Sequence, residues 1–246
     1  MVDLVFGDLS PVDVEIAIIT GIIASIVLTI AYYLSVSGRP KWKPRKLVHI
    51  FMGSVVGLTL VGYSNLSGPA FALGIFLFIL FYSWAHKSEL VWDLLMAGSR
   101  EGESRATTFL AGFMGMTSFV IVFIVFYWEP AIFVAAILSV AWGDGAGEVI
   151  GRPYGGKIVK SKFRNKSVEG SIAVFIFIAL ALMTSLLVYS QKTCILCFLP
   201  EIFLVAFFAT VAEILSIGWT DNFFIPMVTA ISMWLLIYPE LSLFLI

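Results

Sequence analysis

Residues 141–170 read AWGDGAGEVIGRPYGGKIVKSKFRNKSVEG, and the reading of this stretch decides the fold. It starts inside an apolar run (AIFVAAILSVAWGDG, 131–145), carries Asp144 and Glu148, and opens into a glycine-rich cationic loop that ends where a new apolar run begins at Gly170. A carboxylate at membrane depth costs on the order of 3 kcal/mol, so it persists where it pairs, binds an ion or lines a wet cavity. Asp144 and Glu148 are four residues apart, which places both on one face of a helix. Two oxygen ligands on one face suit a hard divalent ion such as Mg²⁺, which keeps waters and bridges to substrate phosphates. Arg152, Lys157, Lys160, Lys162, Arg164 and Lys166 follow as phosphate-binding cations. Gly143, Gly145, Gly151, Gly155 and Gly156 would let backbone N–H groups approach those phosphates closely. The stretch reads as a nucleotide or pyrophosphate site at a membrane face.

Composition agrees with a membrane setting. The 246 residues are 60% hydrophobic and 13% charged, against about 45–50% and about 25% for soluble domains. Two cysteines, Cys194 and Cys197, are too few for a disulfide scaffold. With no soluble redox fold around them, buried thiols and a simple disulfide are both open. The acidic N-terminus (Asp3, Asp8, Asp13, Glu15) lacks the cationic start of a cleavable signal, so the first apolar run is expected to stay as a helix. Nucleic acid is not expected as a partner.

Runs of about 20 apolar residues cross a bilayer. Eight candidates fall at roughly 14–36, 47–63, 68–86, 106–128, 130–150, 170–189, 201–217 and 223–244. The expected fold is therefore an all-α integral membrane protein of about eight transmembrane helices, a single domain over 1–246 in the cell membrane. Alternating sides then puts every Lys and Arg except Lys192 on one face. The positive-inside rule makes that face cytoplasmic, with both termini outside and the glycine-rich loop toward the cytosol. The connection at 87–105 reads as a short interfacial helix or a solvated loop, with Arg100 and Arg105 as alternative phosphate clamps.

Other polar groups join the candidate site. Arg45 and Lys46 precede His49 at the start of the second run, and His changes charge near neutral pH. Headgroup anchoring is the plainer role for the two cations, and helix contact for the histidine. Glu213 lies in an otherwise uncharged run and Asp221-Asn222 follow, at the cytoplasmic end where Asp144 also falls. Glu213 could pair with a buried cation or share an ion site. Pro226 is expected to break or kink the last helix there. Glu148 has a plainer role too, as a salt-bridge partner of Arg152 one turn on.

Four ordered segments resemble the membrane polyprenol kinase family, which includes phytol, dolichol and CTP-dependent diacylglycerol kinases, with the phytol kinase branch nearest. They are RKLVHI (45–50), GDGAGEVIGRPYGGK (143–157), NKSVEGSIA (165–173) and AEILSIGWTDNFFIP (212–226), so the resemblance covers about 45–226. One departure is that the carboxylate after Gly-Asp-Gly stands at Glu148, one residue later than that branch's usual aspartate. The resemblance implies transfer of the γ-phosphate of CTP to the hydroxyl of a membrane-embedded isoprenoid alcohol, with Mg²⁺. It implies Asp144 as the leading metal ligand, supported by Glu148, Asp221 and Glu213. Asp144, His49 and Lys166 would form the catalytic set. Lys157, Lys166, Arg45 and Lys46 would hold phosphates, with Ser167, Glu169 and Gly170 shaping the loop. The expected partners are the lipid alcohol, the nucleoside triphosphate and membrane lipids, and a homo-oligomer stays open. The alternatives are a CDP-lipid-forming cytidylyltransferase, whose signature is absent here, and a proton- or ion-coupled transporter.

Overall fold

The computed structural model describes residues 6–40, 42–86, 105–126, 128–156, 158–161, 164–190, 194–216 and 220–241. Most of them are helical. The helices are α1 (Pro11–Val36), α2 (Trp42–Thr59), α3 (Ser67–His86), α4 (Arg105–Phe126), α5 (Pro130–Leu138), α6 (Gly145–Tyr154), α7 (Val168–Tyr189), α8 (Leu199–Leu215) and α9 (Asp221–Ile237). Each apolar run of the sequence falls on one of them, with α5 and α6 sharing the fifth. Among the described residues, four stretches are long and apolar enough to cross a bilayer: Pro11–Val36, Pro130–Tyr154, Val168–Tyr189 and Ile195–Leu215. These are the helices of a membrane protein. The segment read as an interfacial helix or loop, with Arg100, lies outside the described residues.

The chain divides into two compact units, Met1–Thr108 and Phe109–Ile246. In the first, Pro11 sits at the start of α1, where its missing N–H costs nothing, and a capping box closes the end. Ser10 Oγ accepts from the Asp13 N–H at 3.2 Å while the Asp13 carboxylate accepts from the Ser10 N–H at 3.0 Å. The same buried carboxylate reaches the α2–α3 turn, accepting from the Ser64 N–H at 2.7 Å and the Ser64 hydroxyl at 2.6 Å. Gly7 and Ser67 also exchange hydrogen bonds, so the chain before α1 is tied along that turn. Asp13→Ala removes a cap and leaves the Ser10 and Ser64 N–H groups without this acceptor, and is expected to cost about 2 kcal/mol. Thermal unfolding in detergent would read the loss as a lowered midpoint, with Glu15→Ala as an exposed comparison from the same turn.

In the second unit, α5 is almost wholly buried, with Ala131, Ile132, Val134, Ala135, Ala136 and Leu138 all at 0% exposure. It runs into a π-helical turn, Ser139–Asp144, and then directly into α6. Single π-turns inside helices cluster at functional sites. Between α6 and α7 the chain departs from the all-α expectation. Ile158–Ser161 pairs antiparallel with Arg164–Ser167, Ile158 opposite Ser167 and Ser161 opposite Arg164. The β-branched Ile158 and Val159 favour extended backbone, and antiparallel pairing satisfies the backbone groups of a segment with no helical apolar face. The cationic stretch is thus a short ribbon where a loop was expected.

The last helix also differs from expectation, since α9 runs unbroken through Pro226. Proline cannot donate to the carbonyl four residues back, which here is that of Asn222. The buried Ser118 hydroxyl on α4 has two carbonyl acceptors in reach, that of Gly115 at 2.7 Å and that of Asn222 at 3.0 Å.

Candidate functional site: an acidic cluster beside the glycine-rich helix

Asp144 closes the π-turn and is 7% exposed. Glu213 lies in the last turn of α8, also 7% exposed, and Asp221 opens α9 at 1%. The charges of Asp144 and Asp221 both act on Glu213, so three carboxylates from three separated elements share one neighbourhood. Lys166, the residue before the N-cap of α7, supplies positive charge. Its Nζ donates to both Oε1 and the backbone carbonyl of Glu213. Buried charges of one sign gathered this closely repel unless a cation compensates them. Lys166 is the cation that the structure pairs with Glu213.

The cluster also holds an atom suited to a metal. Glu213 Oε2 is buried and has no hydrogen-bond partner among the described residues. A carboxylate oxygen in that position is a ready ligand, since an unsatisfied buried acceptor is costly. Among the described residues, no three His, Cys, Asp or Glu side chains are grouped to hold a metal by themselves. Mg²⁺ does not need such a cage. It uses one or two carboxylates and completes its shell with waters and phosphate oxygens. The residues present fit that mode of binding.

Glu148 stands apart from the cluster's ion pair. Its Oε1 accepts from Arg152 Nε at 2.7 Å, one helical turn on, and the Arg152 side chain is 55% exposed. This is the plain salt-bridge role that the spacing allowed. An exposed pair of this kind contributes about 0–1 kcal/mol. Asp221 Oδ1 accepts from the Asn222 N–H at 2.9 Å, which fixes the carboxylate at the helix start.

The glycines have a packing role that the sequence reading did not find. Gly143, Gly147, Gly151 and Gly155 recur every four residues and turn one edge toward α7. A Cβ on Gly143 would lie 2.5 Å from Ile178 Cγ1, and one on Gly147 would lie 2.5 Å from Val174 Cγ2. A Cβ on Gly151 would lie 2.9 Å from Ser167 Oγ and 3.2 Å from Gly170 Cα, and one on Gly170 would lie 2.9 Å from the Gly147 carbonyl oxygen. This is the small-residue spacing that lets helices in a membrane approach to backbone distance. The signal for this packing is the four-residue glycine repeat itself. Gly145 is buried, and Gly156 is exposed beside Glu169. Ser167 caps α7 by accepting from the Gly170 N–H at 3.0 Å. Gly151→Val would force the two helices apart and is expected to cost about 1–3 kcal/mol. Gly21→Ala, where nothing lies within 4 Å of the added carbon, is the matched control. A thermal scan of both variants would show a shift only for the first.

The remaining predicted residues divide by location. Arg45, Lys46 and His49 lie on α2, in the first unit, and Lys46 is 1% exposed despite its charge. Glu169 lies in the first turn of α7. Lys157 is outside the described residues. No family model, curated protein or solved structure matches the chain.

Proposed function

We propose that the protein is a multi-pass membrane kinase that transfers the γ-phosphate of a nucleoside triphosphate, CTP by the resemblance noted above, to the hydroxyl of a membrane-embedded isoprenoid alcohol. The observation that carries this reading is the convergence of Asp144, Glu213 and Asp221 with Lys166, from the π-turn, α8, α9 and the cationic ribbon. On this reading the eight apolar runs cross the bilayer, both termini are outside and the cluster faces the cytosol.

Phosphoryl transfer asks a protein mainly for positioning and for neutralisation of the charge spread over the transferred group. Asp144 with Glu213 or Asp221 would hold Mg²⁺, which would supply that neutralisation. Lys166 adds a cation beside Glu213, and the ribbon's Lys and Arg residues attract the triphosphate tail. The alcohol oxygen attacks the γ-phosphorus, and the bond to the β–γ bridging oxygen breaks, releasing the nucleoside diphosphate. The hydroxyl proton passes to a carboxylate of the cluster, with Asp144 as the acceptor. Apolar helix faces hold the isoprenoid chain and leave its hydroxyl at the interface.

The test uses purified protein in liposomes with γ-labelled CTP, Mg²⁺ and a panel of lipid alcohols and diacylglycerol. Label recovered in a lipid monophosphate supports the reading and names the acceptor. Label leaving as pyrophosphate while cytidine joins the lipid would instead establish a cytidylyltransferase, and no nucleotide turnover with any acceptor would turn attention to transport. In the same assay Glu148→Gln is expected to keep its turnover, because its carboxylate is engaged by Arg152 at the helix surface. A collapse of activity in that variant would return Glu148 to the metal site.

A further inference from the structure

We infer that Cys194 and Cys197 form a reversible thiol–disulfide site, open to exchange with dithiols on the side of the membrane where α8 begins. The two are joined in a disulfide, three residues apart, across the single 3₁₀ turn Ile195–Phe198 that leads directly into α8. A cross-link that closes so small a ring removes little entropy from the unfolded chain. It is not what seats α8, which is held by Ile202, Val205, Ala206 and Ala209, all at 0% exposure. No residue of the turn is buried, so opening the bond disturbs no core contact.

Accessibility and leaving-group chemistry point the same way. Both cysteines are exposed, which gives an incoming thiolate a line of attack. Cys197 stands two residues before the first residue of α8, where unpaired N–H groups and the helix dipole favour an anion and so a departing thiolate. A bond that is reachable, adds little to the fold and has a stabilised leaving group has the properties of an exchangeable disulfide rather than a staple. The charge asymmetry of the sequence puts this turn away from the cytosol, where disulfides persist.

The exchange balances without a further reactant. One thiolate of the dithiol attacks a cysteine sulfur, the other cysteine leaves as thiolate, and a mixed disulfide forms. The second thiol of the reductant then displaces the tethered cysteine. Cys194 and Cys197 end as thiols, having gained two electrons and two protons, and the dithiol ends as its cyclic disulfide. This inference is independent of the phosphoryl-transfer reading.

The experiment places the full chain in phospholipid nanodiscs with reduced dithiothreitol, quenches with a maleimide and weighs the intact protein. Helical content is followed by circular dichroism. The expected result is two adducts per chain with the helical signal unchanged, no adducts after return to oxidised glutathione, and a Cys194→Ser/Cys197→Ser variant that unfolds at the wild-type temperature. Adducts gained only in denaturant, a pair that does not reclose, or a double variant with a clearly lower unfolding temperature would each overturn the inference and leave a structural bond.

Discussion

Asp144→Asn is expected to lower CTP-dependent labelling of the lipid alcohol on the order of 10³-fold, while leaving the protein folded. The substitution keeps the shape of a side chain that is 7% exposed at the end of the π-turn, so packing against α7 and α9 is preserved. What it removes is one negative charge from a cluster whose proposed work is to hold a cation against transferring phosphate. Loss of a preorganised electrostatic group in a water-poor site typically costs about 10²–10³ in rate, and loss of a metal ligand is at the upper end. Turnover and thermal midpoint should be measured on the same preparation. An unchanged midpoint with activity gone supports the proposed role. Full activity in the variant would remove Asp144 from the mechanism.

The second large effect concerns Lys166. Its ammonium donates to the Glu213 carboxylate and carbonyl in a place where both side chains are about nine-tenths buried, at 11% and 9% exposure. Lys166→Met leaves Glu213 without that partner beside Asp144 and Asp221. Removing one member of a buried pair costs about 3–5 kcal/mol, because the other charge stays buried and uncompensated. Replacing both, as Lys166→Met with Glu213→Gln, should recover much of the stability, since it removes the orphaned charge as well. The double variant should still be inactive if Glu213 and Lys166 serve the reaction. Single and double variants compared by thermal unfolding in detergent would expose this non-additivity. Equal losses in both would mean that the pair does not hold α8 to the ribbon.

The two arguments rest on different parts of the chain's information. The apolar runs, their approximate ends and the placement of Asp144 in a buried helical segment were determined by the sequence alone. A run of some 20 apolar residues has few stable alternatives to a helix, because each backbone group must find its partner within the segment. The N-cap of α7 was likewise local, with Ser167 three residues before the glycine whose N–H it accepts.

What faces what was decided only by the tertiary structure. Gly143, Gly147 and Gly151 could serve a phosphate or a neighbouring helix equally well by sequence. The positions of Ile178, Val174 and Gly170 across the interface show that they bring this segment close against α7. Glu148 and Glu213 were two intramembrane acids with similar prospects. The first pairs with an arginine one turn away whose side chain is largely exposed, and the second pairs with a largely buried lysine 47 positions earlier in the chain. Pro226 was expected to break or kink its helix, and α9 continues through it, with the Ser118 hydroxyl, 104 residues away, 3.0 Å from the Asn222 carbonyl that the proline cannot reach. Hydropathy and helical period act over a few residues and are legible in sequence. Charge pairing and helix–helix approach depend on groups that only folding brings together.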